Sequence, residues 1–394
     1  MMADIRCGDC LEVLRTMASA SVQCCITSPP YWGLRDYGVD GQLGLEATPE
    51  EYVANLVAVF REVRRVLRDD GTVFLNLGDS YASSGIYHDG AFAEMGKNLA
   101  ARGMRWSATG HGGKGRSPTP PGLKPKDLVG IPWRVAFALQ DDGWWLRSDI
   151  IWHKPNPMPE SVTDRCTKSH EYIFMLTKSK RYYYDHEAVK ERSTQHPTDW
   201  ANGKPKRESK KRGDFGGKNE EPGKEAFRTI APTRNRRDVW KISTKPYKGA
   251  HFATFPPEIP RICIKAGTSQ RGACPECGAP WERVVEKGLT AHDGETASAY
   301  KQGSTANRLA MLRQAARERG EEYTSAKRTT GWRPTCECEA GEPVPCVTLD
   351  PFFGAGTVGM VAIELGRDFV GVDLNPEYIK LAQERMATAQ PALV

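Results

Sequence analysis

Two stretches of this chain carry residue types that could do chemistry. Thr27-Ser28-Pro29-Pro30-Tyr31-Trp32 follows the β-prone run Val22-Gln23-Cys24-Cys25-Ile26 and precedes the turn residue Gly33, so it reads as the exposed end of a buried strand. Consecutive prolines lack backbone N–H groups and hold the chain extended, which leaves carbonyl oxygens free to accept. Beside the Ser28 hydroxyl and the rings of Tyr31 and Trp32, such acceptors suit a planar base with an exocyclic amino group. Taken alone, Ser-Pro-Pro reads more simply as a strand-ending turn. The second stretch runs from the strand Val347–Asp350 through Pro351-Phe352-Phe353-Gly354-Ala355-Gly356-Thr357 into a helix over Val358–Leu365, then a strand, Asp368–Asp373, with an acidic end. Glycines that let backbone approach a ligand, followed by an acid for ribose hydroxyls, are the layout of a nucleotide-type site. Gly-x-Gly in place of Gly-x-Gly-x-x-Gly weighs against a dinucleotide.

The segment Asp350–Thr357 resembles the S-adenosylmethionine motif of amino-group DNA methyltransferases, and Thr27–Tyr31 resembles the catalytic motif of the same family. The catalytic motif first and the cofactor motif last resembles the beta subgroup, over roughly residues 4–185 and 247–386. The resemblance implies an α/β fold, a Rossmann-like methyltransferase mixed sheet with helices on both faces and a circularly permuted motif order. It implies S-adenosylmethionine as cofactor, bound by Asp350, Phe352, Gly354, Gly356, Thr357, Asp373 and Asn375. Thr254 and Phe255 lie in a segment similar to the one that packs on the cofactor's methionine end, and Asp9 lies in a Gly-Asp segment that the family places near the cofactor. Asp9 reads equally well as the N-cap of a helix. The implied catalytic set is Ser28, Pro29, Pro30 and Tyr31, with Ser28 and the Pro29 carbonyl accepting the amine hydrogens and Tyr31 stacking on a flipped-out base. Trp152-x-Lys154-x-Asn156 is similar to a segment lining the family's base pocket. The family's cytosine-N4 enzymes mostly carry serine where its adenine-N6 enzymes carry aspartate, so Ser28 implies cytosine N4, with adenine N6 as the alternative.

The elements that must position these residues are legible in part. A strand over Ile5–Cys7, a helix carrying Leu11, Val13, Leu14 and Met17, an amphipathic helix from Pro49 to Leu67 stopped by Asp70-Gly71, and a buried strand Thr72–Leu77 follow from apolar periodicity. Asp127–Gln140 reads as a helix with Pro132 and Trp133 as an irregularity, Trp144–Trp152 as a strand, and His170–Leu176 with Arg181–Tyr184 as a hairpin. Ile259–Ala266 and residues 303–320 read as further helices. Residues 82–125 are rich in Gly, Ser and Pro; they read as a loop, either a DNA clamp or an insertion without a role.

The net charge of +6 is unevenly spread: Lys190 to Arg237 holds 14 Lys and Arg against 7 Asp and Glu. This segment is either a solvated insertion or a target-recognition region contacting phosphates of double-stranded DNA. Cys274-x-x-Cys277 and Cys336-x-Cys338 form two close thiolate pairs suited to a structural Zn²⁺, although the 58 residues between them exceed common finger spacings and unlinked cysteines are the alternative; Cys346 is a spare. The expected domains are therefore a catalytic half at 1–189, a basic recognition insertion at 190–246, a cofactor half at 247–270 and 347–394, and a zinc-knuckle-like insertion at 271–346.

At 394 residues, with 39% hydrophobic content and mean hydropathy of −0.55, the chain suits a soluble protein of two or three domains. It has no apolar run of ~20 residues, no apolar core after Met1, and eleven cysteines that fit reduced thiols, so the expected compartment is the cytoplasm. The expected activity is site-specific DNA methylation, with a cognate restriction endonuclease as candidate partner. An RNA or protein-glutamine methyltransferase could share the acceptor motif, and a non-catalytic zinc DNA-binding protein is the reading from another class. Cytosine-C5 chemistry is disfavoured because Cys24 and Cys25 lie upstream of Pro29-Pro30.

Overall fold

The structure is a computed structural model and describes residues 2–34, 37–82, 122–192, 233–244, 255–290, 324–339 and 341–387. Most of the glycine-rich loop, most of the basic segment, residues 251–254 and the expected helix at 303–320 lie outside the described residues. The chain divides into two compact units, Met1–Asp185 with Arg237–Trp281 and Pro334–Val394, and His186–Arg236 with Glu282–Arg333.

In chain order the described strands are β1 (Ala3–Cys7), β2 (Val22–Thr27), β3 (Leu67–Leu77), β4 (Trp145–His153), β5 (His170–Thr177), β6 (Glu191–Arg192), β7 (Thr233–Arg234), β8 (Val239–Lys241), β9 (Trp281–Thr290), β10 (Thr324–Pro334), β11 (Val347–Asp350) and β12 (Asp368–Asp373). The described helices are α1 (Cys10–Thr16), α2 (Pro49–Val66), α3 (Ile131–Asp141), α4 (Glu258–Gly267), α5 (Thr357–Glu364) and α6 (Pro376–Ala387).

The first unit is built on an eight-stranded sheet ordered β1-β12-β11-β2-β3-β5-β4-β8. The five strands β1, β12, β11, β2 and β3 run parallel, and β5 is antiparallel to both β3 and β4. Helices α1, α2 and α3 pack together on one side, and α4, α5 and α6 form the other layer. This is the mixed Rossmann-like sheet expected. The two ends of the chain share it: β1 pairs with β12 along its whole length, from Ala3 opposite Phe369 to Cys7 opposite Asp373.

Every residue of β2 is buried, as a central parallel strand covered on both faces requires. Its polar side chains are accordingly bonded. Gln23 Oε1 accepts from Val347 N at 2.7 Å while its Nε2 donates to Gly278 O at 3.1 Å, and Thr27 Oγ1 donates to Asp350 Oδ1 at 2.6 Å.

Local chemistry explains where the elements differ from expectation. Thr48 caps α2, accepting from Glu51 N at 3.2 Å, and Pro49 sits in the first turn where it sacrifices no bond. The helix stops at Val66 without waiting for Asp70-Gly71, because Leu67 turns extended and opens β3 opposite Val22. Arg65 then covers the end of α1, donating to Leu14 O at 2.7 Å and Met17 O at 2.9 Å. Helix α3 begins at Ile131 rather than Asp127, since Asp79 Oδ1 gathers the N–H groups of Gly130 and Ile131 at 3.0 and 3.1 Å; Pro132 thereby falls in the first turn and is no irregularity. The expected hairpin partner of β5 at Arg181–Tyr184 is not a strand, because both edges of β5 are occupied by β3 and β4.

The second unit contains the two-residue ladder β6–β7, where Arg234 Nε meets Glu191 Oε1 at 2.6 Å. It also holds most of the β9–β10 pair, where the Arg283 guanidinium lies 4.4 Å over the Trp332 ring.

Helix α4 ends against the sheet at Gly267, where an added Cβ would stand 2.5 Å from both Cys24 Sγ and Thr72 Oγ1. Glycine to alanine normally favours a helix. Here Gly267→Ala should instead destabilise by roughly 1–3 kcal/mol through overpacking, read as a lower denaturant midpoint at unchanged slope.

Candidate active site

The C-terminal ends of the parallel strands open into a cleft of about 810 Å³, a size that suits a small-molecule ligand. It is lined by Asp9 after β1, Ser28, Pro29, Pro30 and Tyr31 after β2, Asn76, Gly78 and Asp79 at the end of β3, Asp350, Phe352 and Gly354 after β11, and Asp373 and Asn375 at the end of β12. Ligands bind at this edge in open α/β sheets because loops there diverge at the point where strand order reverses. The reversal lies between β11 and β2, and the Thr27–Asp350 hydrogen bond crosses it.

Asp350 is 3% exposed, and burial pushes its carboxyl from 3.8 up to about 7 against the Thr27 and Phe352 hydrogen bonds, which lower it. Asp373 is likewise raised by burial, while N–H bonds from Asn375 to Oδ1 at 2.8 Å and from Gly354 to Oδ2 at 2.7 Å pull the other way. Each oxygen keeps a second lone pair for a ligand. Asp9 caps α1, accepting from Glu12 N at 3.0 Å, and also lines the cleft.

After β2 the backbone is divided between core and cleft. Pro30 O accepts from Tyr52 Oη at 2.8 Å, and Trp32 is 3% exposed with Nε1 donating to Glu46 O at 3.0 Å. Trp32 is therefore core, not a stacking surface. The Tyr31 ring lies on Gly78, where a Cβ would approach Cε2 to 2.6 Å. Its hydroxyl donates to Glu171 Oε2 at 2.7 Å and accepts from Asn76 Nδ2 at 2.7 Å and Ser28 Oγ at 3.2 Å. Burial first, then the Glu171 charge, push the Tyr31 phenol well up. Lys154 Nζ donates to Glu171 Oε1 and lies 4.4 Å over the Trp152 ring, and Asn156 binds Thr244 through Nδ2 and Oδ1 at 3.2 and 3.0 Å. On the same wall, burial lowers both Lys168, whose Nζ reaches Asp79 O, and His170.

The family model described as DNA methylase (N6_N4_Mtase) matches residues 22–274 and 346–384. The chain belongs to this DNA methylase family. The methylase is 41% identical over 379 residues to the Type II methyltransferase M.XycI of Xanthomonas campestris pv. cyanopsidis, covering 96% of this chain and 86% of that protein. It shows the same identity and coverage with the Type II methyltransferase M.Cfr9I of Citrobacter freundii. Among solved structures, the PvuII DNA methyltransferase (cytosine-N4-specific) aligns with a TM-score of 0.50 at 15% identity, covering 98% of this chain and 86% of that one, which is a likeness of fold.

Of the residues expected at the methylase's site, Phe255 and Thr357 also line the cleft, and Thr254 lies outside the described residues. Gly356 does not line it. Its φ is +73° and a Cβ there would come within 2.8 Å of Ala382 Cβ, so the turn packs closely on α6 at this glycine. Asn76 and Glu171 escaped the sequence reading. Their signal is polarity inside apolar strands, Asn76 within Val73–Leu77 and Glu171 at the start of β5.

Away from the cleft, at the other end of β2, Cys274, Cys277, Cys336 and Cys338 bring their sulfurs within 4.8 Å of one another. Four thiolates this close can hold a tetrahedral Zn²⁺. Bonds from the turn's backbone, Cys277 N–H foremost, draw the Cys274 thiol down to about 7, while its neighbours, Cys277 first, push Cys338 up to about 12. The knuckle is tied to the sheet by Gln23 Nε2 on Gly278 O and by Arg68 on Cys277 O. Cys346 is buried apart from the four, its Sγ 3.8 Å from Ser269 O.

Asp350 generates a pH test. Unfolded, it ionises near 3.8; folded, near 7. Between these values the folded state holds more protons, so stability falls as pH rises, and the loss is complete above about 7. Asp350→Asn keeps an acceptor for Thr27 and removes this titration. Unfolding free energies from denaturant melts between about pH 4 and 8 should show a shallower decline for the variant than for the parent.

Proposed function

We propose that the methylase moves a methyl group from S-adenosylmethionine to N4 of a cytosine flipped out of double-stranded DNA. One observation carries this reading: the amine acceptors of Ser28 and Pro29 and the nucleotide-type acids Asp350 and Asp373 open on the same cleft. Bound S-adenosylmethionine supplies an electrophilic methyl group on a sulfonium. Asp373 takes ribose hydroxyls through its unused lone pairs, Asp350 meets the amino group of the methionine end, and Phe255 and Phe352 provide apolar walls. The Pro30 carbonyl is already taken by Tyr52, so the Pro29 carbonyl and Ser28 Oγ accept the amine hydrogens. Those two bonds draw the amine lone pair out of the ring and hold it in line with the methyl group, so positioning and electrostatics supply the acceleration. The target base leaves the stack to reach them.

Ser28 Oγ gives its hydrogen to Tyr31 Oη and meets the target through its lone pairs, so the choice of cytosine rests on the resemblance of Ser28 to the serine that the family's cytosine-N4 enzymes mostly carry. The relatives named Type II methyltransferases support site-specific DNA as substrate and a cognate restriction endonuclease as partner. The basic segment 190–237 supplies phosphate contacts in this reading.

The test is to methylate DNA with purified protein, digest it to nucleosides and identify the product by mass and retention. N4-methylcytosine is expected. N6-methyladenine alone would make adenine the target base, and absence of S-adenosylmethionine binding by calorimetry would favour a non-catalytic DNA-binding protein.

The four-cysteine cluster is assigned as a structural Zn²⁺ site, all four positions being filled by thiolates. Purified methylase should hold about one Zn²⁺ per chain, lost in Cys274→Ser or Cys336→Ser. Because the knuckle is bonded to Gln23 and Arg68, removing the metal with a chelator should lower the melting temperature. Full metal content in both variants would end the assignment.

A further inference from the structure

The Tyr31 hydroxyl has one hydrogen and two acceptor positions, and all three are committed. The hydrogen goes to Glu171 Oε2 at 2.7 Å; the acceptor positions take Asn76 Nδ2 at 2.7 Å and Ser28 Oγ at 3.2 Å. Ser28 therefore spends its own hydrogen on Tyr31, and its lone pairs are left for a ligand in the cleft. Glu171 is anchored in turn by Lys154 and by a second bond from Asn76 at 3.0 Å. The chain of groups runs from the cleft through two hydroxyls to one carboxylate.

We propose that Ser28, Tyr31 and Glu171 form a proton relay that orients Ser28 to accept from the target amine and carries the amine's proton to Glu171. The proposal rests on the reading that an exocyclic amine is methylated. As the N–CH₃ bond forms, the S–CH₃ bond breaks and its electron pair stays on sulfur. The nitrogen, now carrying one hydrogen too many, releases a proton to Ser28 Oγ. Ser28 passes its original hydrogen to Tyr31, Tyr31 passes its own to Glu171, and Glu171 ends neutral. A serine alone is a poor proton acceptor, so the relay supplies by connection the carboxylate that serine lacks. Tyr31 remains a neutral donor because burial disfavours its phenolate. Glu171 acts through two intermediaries and is a positioning and proton-accepting residue, not one that touches the base.

Two variants break the relay at different atoms. Tyr31→Phe removes the middle hydroxyl and leaves the Lys154–Glu171 pair intact. Glu171→Gln keeps an acceptor for Tyr31 but removes the proton sink. Each should slow single-turnover methyl transfer roughly 100-fold, the scale of a lost proton transfer, with unchanged affinity for S-adenosylmethionine by calorimetry. The double variant should be no slower than the slower single, because the groups act as one unit.

A binding measurement without S-adenosylmethionine separates orientation from proton uptake. The probe is a duplex carrying the methylation site, located by sequencing methylated DNA, with 2-pyrimidinone, which lacks the amine, in place of the target cytosine. Tyr31→Phe should lose the preference for cytosine over 2-pyrimidinone, and Glu171→Gln should keep it. Parental transfer rates in either variant, or losses that multiply in the double, would overturn the relay. Nucleoside analysis of the parent's product is a separate result: if no methylated amine is found, the underlying reading fails, whatever the variants do.

Discussion

The hydrogen bond from Thr27 Oγ1 to Asp350 Oδ1 is the constraint on which the rest of the site depends. It joins residues 323 positions apart at the ends of β2 and β11, where strand order reverses and a parallel sheet must part to admit a ligand. Both groups are buried, so neither can exchange the other for water without cost. One bond thus sets Ser28 and Pro29 after β2 against the acids after β11 and β12. The pairing of β1 with β12 serves the same end, since it puts Asp9 beside Asp373 although the chain places them far apart.

Several polar side chains at the margins of this core tie two elements together. Gln23 bridges β2 to Val347 and to the cysteine knuckle, Asp79 gathers the start of α3, and Arg65 covers the end of α1. Each bond satisfies a backbone group that a helix end or a strand edge would leave bare. Asn76, Tyr31, Glu171 and Lys154 are a further case, but theirs is the network that opens on the cleft. Its members come from β3, the turn after β2, β5 and the end of β4. The antiparallel strands therefore supply part of the cleft wall rather than a mere edge to the sheet.

The two glycines of the Asp350–Thr357 turn divide their labour. Gly354 lines the cleft and gives its N–H to Asp373, whereas Gly356 lets the turn close on Ala382. Both tandem aromatics border the cleft, and Phe353, 3% exposed, also lies on Gly371, where a Cβ would meet its ring at 2.6 Å. A motif that reads as one binding loop thus borders the cleft and packs on the sheet and α6 at once.

What the sequence determined by itself was local: apolar periodicity for α2, an all-buried run for β2, a glycine turn between strand and helix at β11–α5, and an acid closing β12 within residues expected of it. These follow from side-chain period and turn chemistry, which act over a few residues. The order of the two motifs, catalytic first and cofactor last, resembles the permuted family and is a property of the sequence alone. Tertiary structure decided the rest, because the deciding partners are remote in sequence. Leu67 leaves α2 because Val22 waits for it across the sheet; Arg181–Tyr184 forms no strand because β5 has no free edge. Trp32 looks like a ligand contact in a motif and is a packing residue in the fold. Asn76 and Glu171 look like blemishes in apolar strands, and become a connected network only when antiparallel pairing brings β5 alongside β3. A hydrogen bond between side chains 95 positions apart leaves no periodic trace in a sequence, so only the folded register could place it.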